Sequence, residues 1–186
     1  MNLKHCLLCA LTLSTAACGA DEKKDPGVPP PPKPAEELQQ LKFFNGTWNC
    51  EGKTQDDGST PGYEFKSTLQ VAPYLDNYWI EMKYEEHTSK TNPYGFKSYG
   101  RVGWDGTKQK FVRLHTASQG AWETALSPGF VDSKLVWTGD LNNLGNPEPV
   151  PFRHTFEKKS DTLLNTSFEL QVEGVWKLIQ VETCKK

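Results

Sequence analysis

Between residues 63 and 85 the chain alternates apolar and polar side chains with a period of two. Tyr63, Phe65, Ser67, Leu69 and Val71 share one parity; Glu64, Lys66, Thr68 and Gln70 share the other. Tyr78, Ile80, Met82 and Tyr84 oppose Trp79, Glu81, Lys83 and Glu85 in the same way. That period belongs to an extended strand with one buried face and one wet face. Further strand-like runs cover 47–54, 94–104, 109–117, 120–126, 133–139, 150–157, 162–171 and 174–183. Turn signals divide them: Asp105-Gly106, Gln119-Gly120, Ser127-Pro128-Gly129, Gly145-Asn146-Pro147, Ser160-Asp161 and Glu173-Gly174. No helical pattern intervenes, so an antiparallel sandwich or barrel is favoured over a parallel sheet.

Two cysteines choose between those architectures. Cys50 lies in the first run and Cys184 at the end of the last. In an up-and-down barrel the first and last strands pair, because closure makes them neighbours. A disulfide needs Cα atoms about 5.5 Å apart, which that pairing supplies. The expected fold is therefore all-β: an antiparallel up-and-down β-barrel of about ten strands, with Cys50 bonded to Cys184. A short helix precedes it. Glu36 and Glu37 open the segment, Leu38, Leu41 and Phe44 share a face, and Gly46 stops it.

The first 35 residues read as an address and a spacer. Residues 1–17 carry Lys4, an apolar run from Cys6 to Thr15, and Ala16-Ala17 before Cys18. That order describes a secretory signal peptide, too short to be a stable membrane span. Thr15-Ala16-Ala17-Cys18 resembles the bacterial lipobox, where cleavage leaves a lipidated cysteine, although Thr15 stands where Leu is usual. The resemblance implies an exported protein anchored to a bacterial membrane through Cys18. Gly19 after the cysteine resembles the outer-membrane sorting pattern of hosts with two membranes. Residues 18–35 contain six of the thirteen prolines. Such a segment buries no core and acts as a semi-rigid spacer. The folded domain is expected over 36–186. Export places it in an oxidising compartment, which permits the disulfide.

The opening Leu41-Lys-Phe-Phe-Asn-Gly-Thr-Trp48-Asn-Cys-Glu-Gly52 resembles that of lipocalin-like, or calycin, barrels. The likeness is closer to a bacterial calycin-like family of unknown function. That family adds a mid-chain turn, here Gly100-Arg-Val-Gly103-Trp104-Asp105, then a Phe111-Val112 strand and a basic end, Lys185-Lys186. The calycin likeness implies that Trp48 packs over the closed bottom of a barrel. A more distant likeness is to nitrobindin-type haem barrels, which share Gly-Thr-Trp. Asn49-Cys50-Glu51-Gly52-Lys53 departs from their glycine-rich continuation.

Candidate chemistry is sparse. Phe152, His154 and Phe156 share a strand face, and His154 is the one candidate for an axial haem ligand. Arg113 and His115 share parity with Phe111 and Ala117. Pointing inward, they would bind a carboxylate in a cavity; the alternation does not decide, and the expected arrangement is the solvated one. Trp122 and Trp137, on mid-chain strands, are the cavity candidates among six tryptophans. Glu85-Glu86-His87 reads as a solvated cluster at a strand end.

No nucleophile elbow or His-Glu-x-x-His motif occurs, and no Cys-x-x-Cys metal pair outside the signal peptide. A net charge of −2, or −3 once Lys4 is cleaved away, argues against nucleic-acid binding. The reading is a membrane-anchored lipoprotein, with binding favoured over catalysis. Its barrel is expected to bind a small apolar or amphipathic ligand, with no cofactor. A filled-core interaction module and a haem protein or small-molecule enzyme using His154 are the alternatives.

Overall fold

The computed structural model describes residues 29–56, 58, 61–143 and 145–186. The expected signal segment, Cys18 and most of the proline-rich spacer lie outside them. The compact unit is Lys33–Lys186.

Its strands are β1 (Gly46–Thr54), β2 (Glu64–Tyr74), β3 (Trp79–Glu86), β4 (Lys97–Asp105), β5 (Lys110–Ala117) and β6 (Trp122–Ser127). There follow β7 (Phe130–Val131), β8 (Lys134–Asn143), β9 (Asn146–Ser160), β10 (Leu163–Val172) and β11 (Val175–Lys185). All pairings are antiparallel, and each barrel strand joins its chain neighbour except where β8 takes the place of β7 beside β6. β1 pairs with β11, so the sheet closes. Ten strands form the ring, and the two-residue β7 is a ribbon on the edge of β8. The expected barrel is present. The Gly100–Asp105 segment, a turn by family likeness, is the second half of β4, in line with the strand run expected over 94–104. Gly103 there makes room for a neighbour: a Cβ would stand 2.7 Å from the Trp79 indole.

One end of the barrel is filled. The helix is a 3-10 helix over Glu36–Phe44. At three residues per turn, Leu38, Leu41 and Phe44 stack on one line, and all three are buried. Each contributes about 2 kcal/mol by leaving water. Phe44 stacks on Phe130 at 5.9 Å and meets the edge of Phe156 at 5.7 Å. Trp48 is fully buried, and its Nε1 donates to the Phe44 carbonyl at 2.7 Å. The chain's last residue covers the same spot. Lys186 Nζ donates to the Phe43 carbonyl at 2.8 Å and lies 4.8 Å from the Trp48 ring centre. The cap thus ties the segment before β1 to the residue after β11.

Cys50 and Cys184 face each other directly in the β1–β11 register and are bonded, with Cα atoms 4.0 Å apart. The bond spans 134 residues of chain. Constraining so long a loop in the unfolded chain is expected to stabilise the fold by about 4–5 kcal/mol. A Cys50→Ala/Cys184→Ala variant should lose close to that amount in urea unfolding. Reduction of the native protein should produce the same loss.

Candidate functional site

The other half of the barrel is hollow. Between the strands lies a cavity of about 310 Å³, closed below by the packed end and opening between the β5–β6 and β8–β9 connections. Its apolar wall comes from Leu69, Met82, Phe96, Phe156, Phe168 and the Cys50–Cys184 disulfide. A break in register between β10 and β11, at Phe168/Glu169, leaves Ile179 without a paired residue. Ile179 and Gln180 consequently both reach the cavity. Bulges of this kind re-aim side chains next to sites.

Two polar walls interrupt the apolar lining. The first comes from β5, β6 and β9. Arg113 and Glu123 form an ion pair, each side chain only 3% exposed. Arg113 Nη1 lies 3.5 Å from His154 Nδ1, and His115 Nδ1 lies 3.6 Å from Glu123 Oε1. The guanidinium sits over Trp137 at 5.1 Å and Phe152 at 5.7 Å from the ring centres. Those rings replace part of its lost hydration. A guanidinium only donates, so His154 Nδ1 must carry the lone pair and Nε2 the proton. Burial, then the Arg113 charge, drives His154 well below the ordinary imidazole range and His115 to about 3. Both imidazoles are neutral. Burial holds the Glu123 carboxyl above its usual value, against the pull of Arg113. Arg113 Nε has no hydrogen-bond partner among the described residues.

The second wall lies across the ring, on β2, β3, β10 and β11. Glu182 accepts from Ser67 Oγ at 2.7 Å, Tyr84 Oη at 2.8 Å and Thr166 Oγ1 at 3.2 Å. Glu86 accepts from Asn92 Nδ2 at 2.7 Å and the Phe96 amide at 3.3 Å. Its Oε1 lies 3.5 Å from the same Tyr84 oxygen. Burial raises both carboxyls above their ordinary values, and each donor pulls back toward the ionised form. Gly52 makes this wall possible. A Cβ there would stand 2.6 Å from Glu182 Cγ. The second glycine of the Gly-Thr-Trp-x-x-x-Gly opening therefore seats a carboxylate.

Several residues singled out from sequence meet here. Arg113, His115, His154 and Phe156 line the cavity, and Trp122 stands half-exposed at its rim. Arg113 and His115 point inward, not into solvent: Phe111 on the same parity is fully buried, and Leu114 is the residue facing water. Trp137 and Phe152 do not reach the cavity. They are packed in the core beneath Arg113, as expected of large rings with a cation to cover. The Glu85-Glu86-His87 group divides. Glu85 pairs with Lys97 at the surface, His87 meets Thr68 there, and Glu86 is buried.

Sequence reasoning missed Glu86, Glu123 and Glu182. The signal was parity. Glu86 continues the inward series Ile80, Met82, Tyr84, and Glu182 lies two residues before inward Cys184. Among the described residues, no cluster of His, Cys, Asp and Glu is arranged to hold a metal ion.

His115 gives this wall a pH signature. Its folded value, about 3, lies below the value near 6.5 of an unfolded imidazole. An imidazole kept neutral in the fold contributes stability above pH 6.5 that is lost as pH falls toward 3. The raised carboxyls act in the opposite sense, losing stability as pH rises above their unfolded value. His115→Gln should therefore gain stability relative to the unsubstituted protein as pH falls through that window. Urea midpoints at about pH 7.5 and 4.5 check this; an unchanged difference between the two would contradict it.

Comparison with known proteins follows the fold. No curated protein matches the chain. The crystal structure of Rv2717c from M. tuberculosis superposes with a TM-score of 0.65 at 10% identity, covering 83% of this chain and 99% of that one. The S-type phycobiliprotein lyase CPES from Guillardia theta gives a TM-score of 0.48 at 10% identity, covering 82% and 98%. At such identity the Rv2717c likeness is one of fold. A family model spans residues 33–183, the whole barrel to within three residues of the chain's end. The chain belongs to that family, described as protein of unknown function (DUF1579).

Proposed function

We propose that this protein is an exported lipoprotein, anchored through Cys18 and held off the membrane by its proline-rich spacer, whose barrel binds a small amphipathic molecule. In a host with two membranes the anchor is in the outer one. The observation that carries the binding reading is the cavity. About 310 Å³ lies at the small end of the range for ligand sites. Its lining is the usual mixture for such sites, apolar with a few convergent polar groups. Ten strands enclose more space than side chains fill, so the hollow follows from strand number. A filled-core module does not share this feature.

Haem on His154 fits this cavity poorly. A porphyrin with its propionates is larger than the space available. The Arg113 guanidinium also stands against His154 Nδ1, within 3.5 Å. A cation in that position disfavours a second one on the same ring.

A titration with a naphthalene-sized solvatochromic dye tests the reading. The full-length protein should bind it saturably at one site. Ala117→Trp, which fills the mouth, should weaken binding by about tenfold or more, or roughly 1.4 kcal/mol. Absence of saturable binding by the unsubstituted protein overturns the reading. The anchor has its own check. Cells fed labelled palmitate should label this protein, and Cys18→Ser should abolish the label.

A further inference from the structure

The cavity's two walls are chemically unequal. Three buried carboxyls, Glu86, Glu123 and Glu182, face it, with one buried guanidinium, Arg113. Arg113 is committed to Glu123. Its neighbours His115 and His154 are neutral and add no cation. Glu86 and Glu182 thus have no positive partner among the described residues, although both lie within 3.5 Å of one phenol oxygen, that of Tyr84. Tyr84 has a single proton and donates to one carboxyl at a time. The donors that Glu182 does have, three hydroxyls and the Gln180 amide, are all neutral. Neutral donors orient a carboxylate but do not cancel its charge, and an uncompensated buried charge is strongly unfavourable.

The opposite wall shows the complementary deficit. Arg113 is 97% buried, and its Nε–H has no acceptor among the described residues. Arg113 occupies His154 Nδ1, so the remaining ring N–H, at Nε2, is a second donor on this wall. A buried donor left unmatched costs about 1–3 kcal/mol, so such groups in native sites commonly meet a ligand or water. One wall therefore presents acceptors in want of a cation, and the other presents donors in want of an acceptor. An apolar belt with Phe96 and Phe168 separates them.

We propose that the ligand is a small organic amine: an ammonium group seated between Glu86 and Glu182, and an apolar or aromatic body in the belt. A carbonyl or hydroxyl acceptor at its far end reaches toward Arg113 and His154. This rests on the binding reading above and specifies its ligand class. The ammonium supplies the positive charge that the carboxyl pair lacks. Glu123, already paired, does not compete for it. Tyr63 and Tyr84, beside the pair, stay protonated and neutral.

Isothermal titration of the full-length protein with three probes of one size tests this. They are 2-phenylethylamine, its neutral counterpart 2-phenylethanol, and the anion 3-phenylpropanoate. The amine should bind about tenfold or more tighter than the alcohol at pH 8, with the anion weakest; a factor of ten corresponds to about 1.4 kcal/mol. Lowering the pH to about 5 should shrink the amine's advantage, because protons compete for Glu86 and Glu182. Folded Glu182→Gln and Glu86→Gln variants should each bring the ratio of amine to alcohol affinity toward one. Should neither variant fold, the pH dependence of that ratio in the unsubstituted protein carries the test. Equal affinity for amine and alcohol at both pH values overturns the proposal while leaving a binding cavity in place. Binding by none of the three, together with failure of the dye titration, removes the cavity reading itself.

Discussion

Closure of the sheet is the constraint on which the rest depends. β1 must find β11, and β6 must find β8, before every barrel strand has two neighbours. Every backbone donor and acceptor on a strand wants a partner, and closure is the arrangement that leaves no exposed edge. The β1–β11 seam is also the longest-range pairing in the chain, and hence the one with the largest loop-closure entropy. Three devices converge on it. The ladder itself runs from Asn49/Lys185 to Thr54/Gln180. The disulfide links its facing pair, and Lys186 reaches back to the cap at Phe43. Backbone, covalent bond and terminal side chain reinforce one seam because failure there would open the whole ring.

The ring then decides what the interior contains. At the cap end, Leu38, Leu41, Phe44 and Trp48 fill the cross-section. Toward the other end no segment among the described residues plugs the barrel, and the inward positions are free to carry polar groups around open space. Polar groups in that place are expensive. Removing one partner of a buried ion pair such as Arg113–Glu123 costs about 3–5 kcal/mol, and replacing both by apolar residues is often neutral or stabilising. Fold stability alone would therefore favour Leu and Phe at these positions. Their polarity points to selection for something other than stability. The same reasoning assigns the packed end, not the hollow one, as the source of the domain's stability.

Much of the fold was legible from parity and turn chemistry. The inward series Phe65, Ser67, Leu69, Val71 and Ile80, Met82, Tyr84 was readable because each strand has one wet face. The Glu173-Gly174 turn was readable because both residues adopt positive φ, 53° and 78°, which a tight hairpin needs. Leu38, Leu41 and Phe44 announced the cap. The β4 segment from Gly100 reads two ways, inside the 94–104 strand and, by family likeness, as a turn, because glycine pairs usually mark turns. Here Gly103 answers a tertiary demand, the Trp79 ring laid across the strand, and no local pattern encodes that. Arg113 and His115 were ambiguous for a related reason. An inward arginine is improbable by hydropathy until its partner is known, and Glu123 sits on another strand, brought by register opposite His115 and diagonal to Arg113.

The carboxylates show where such reading can be extended. A charged residue on the inward parity of a strand looks like an error in the pattern when each strand is read alone. Read around a closed ring, the exceptions accumulate: Glu86 on β3, Glu123 on β6 and Glu182 on β11 all break the apolar series at the hollow end. Among the described residues no buried charged side chain breaks it at the capped end. A polar residue misplaced by chance would fall at either end, and evolution would remove it for its cost in stability. Exceptions confined to the open half, with hydroxyl donors already aimed at Glu182 and a glycine cleared for its methylenes, are a built arrangement. In barrels of this size, deviations from alternation thus carry the functional information, and the alternation itself serves to locate them.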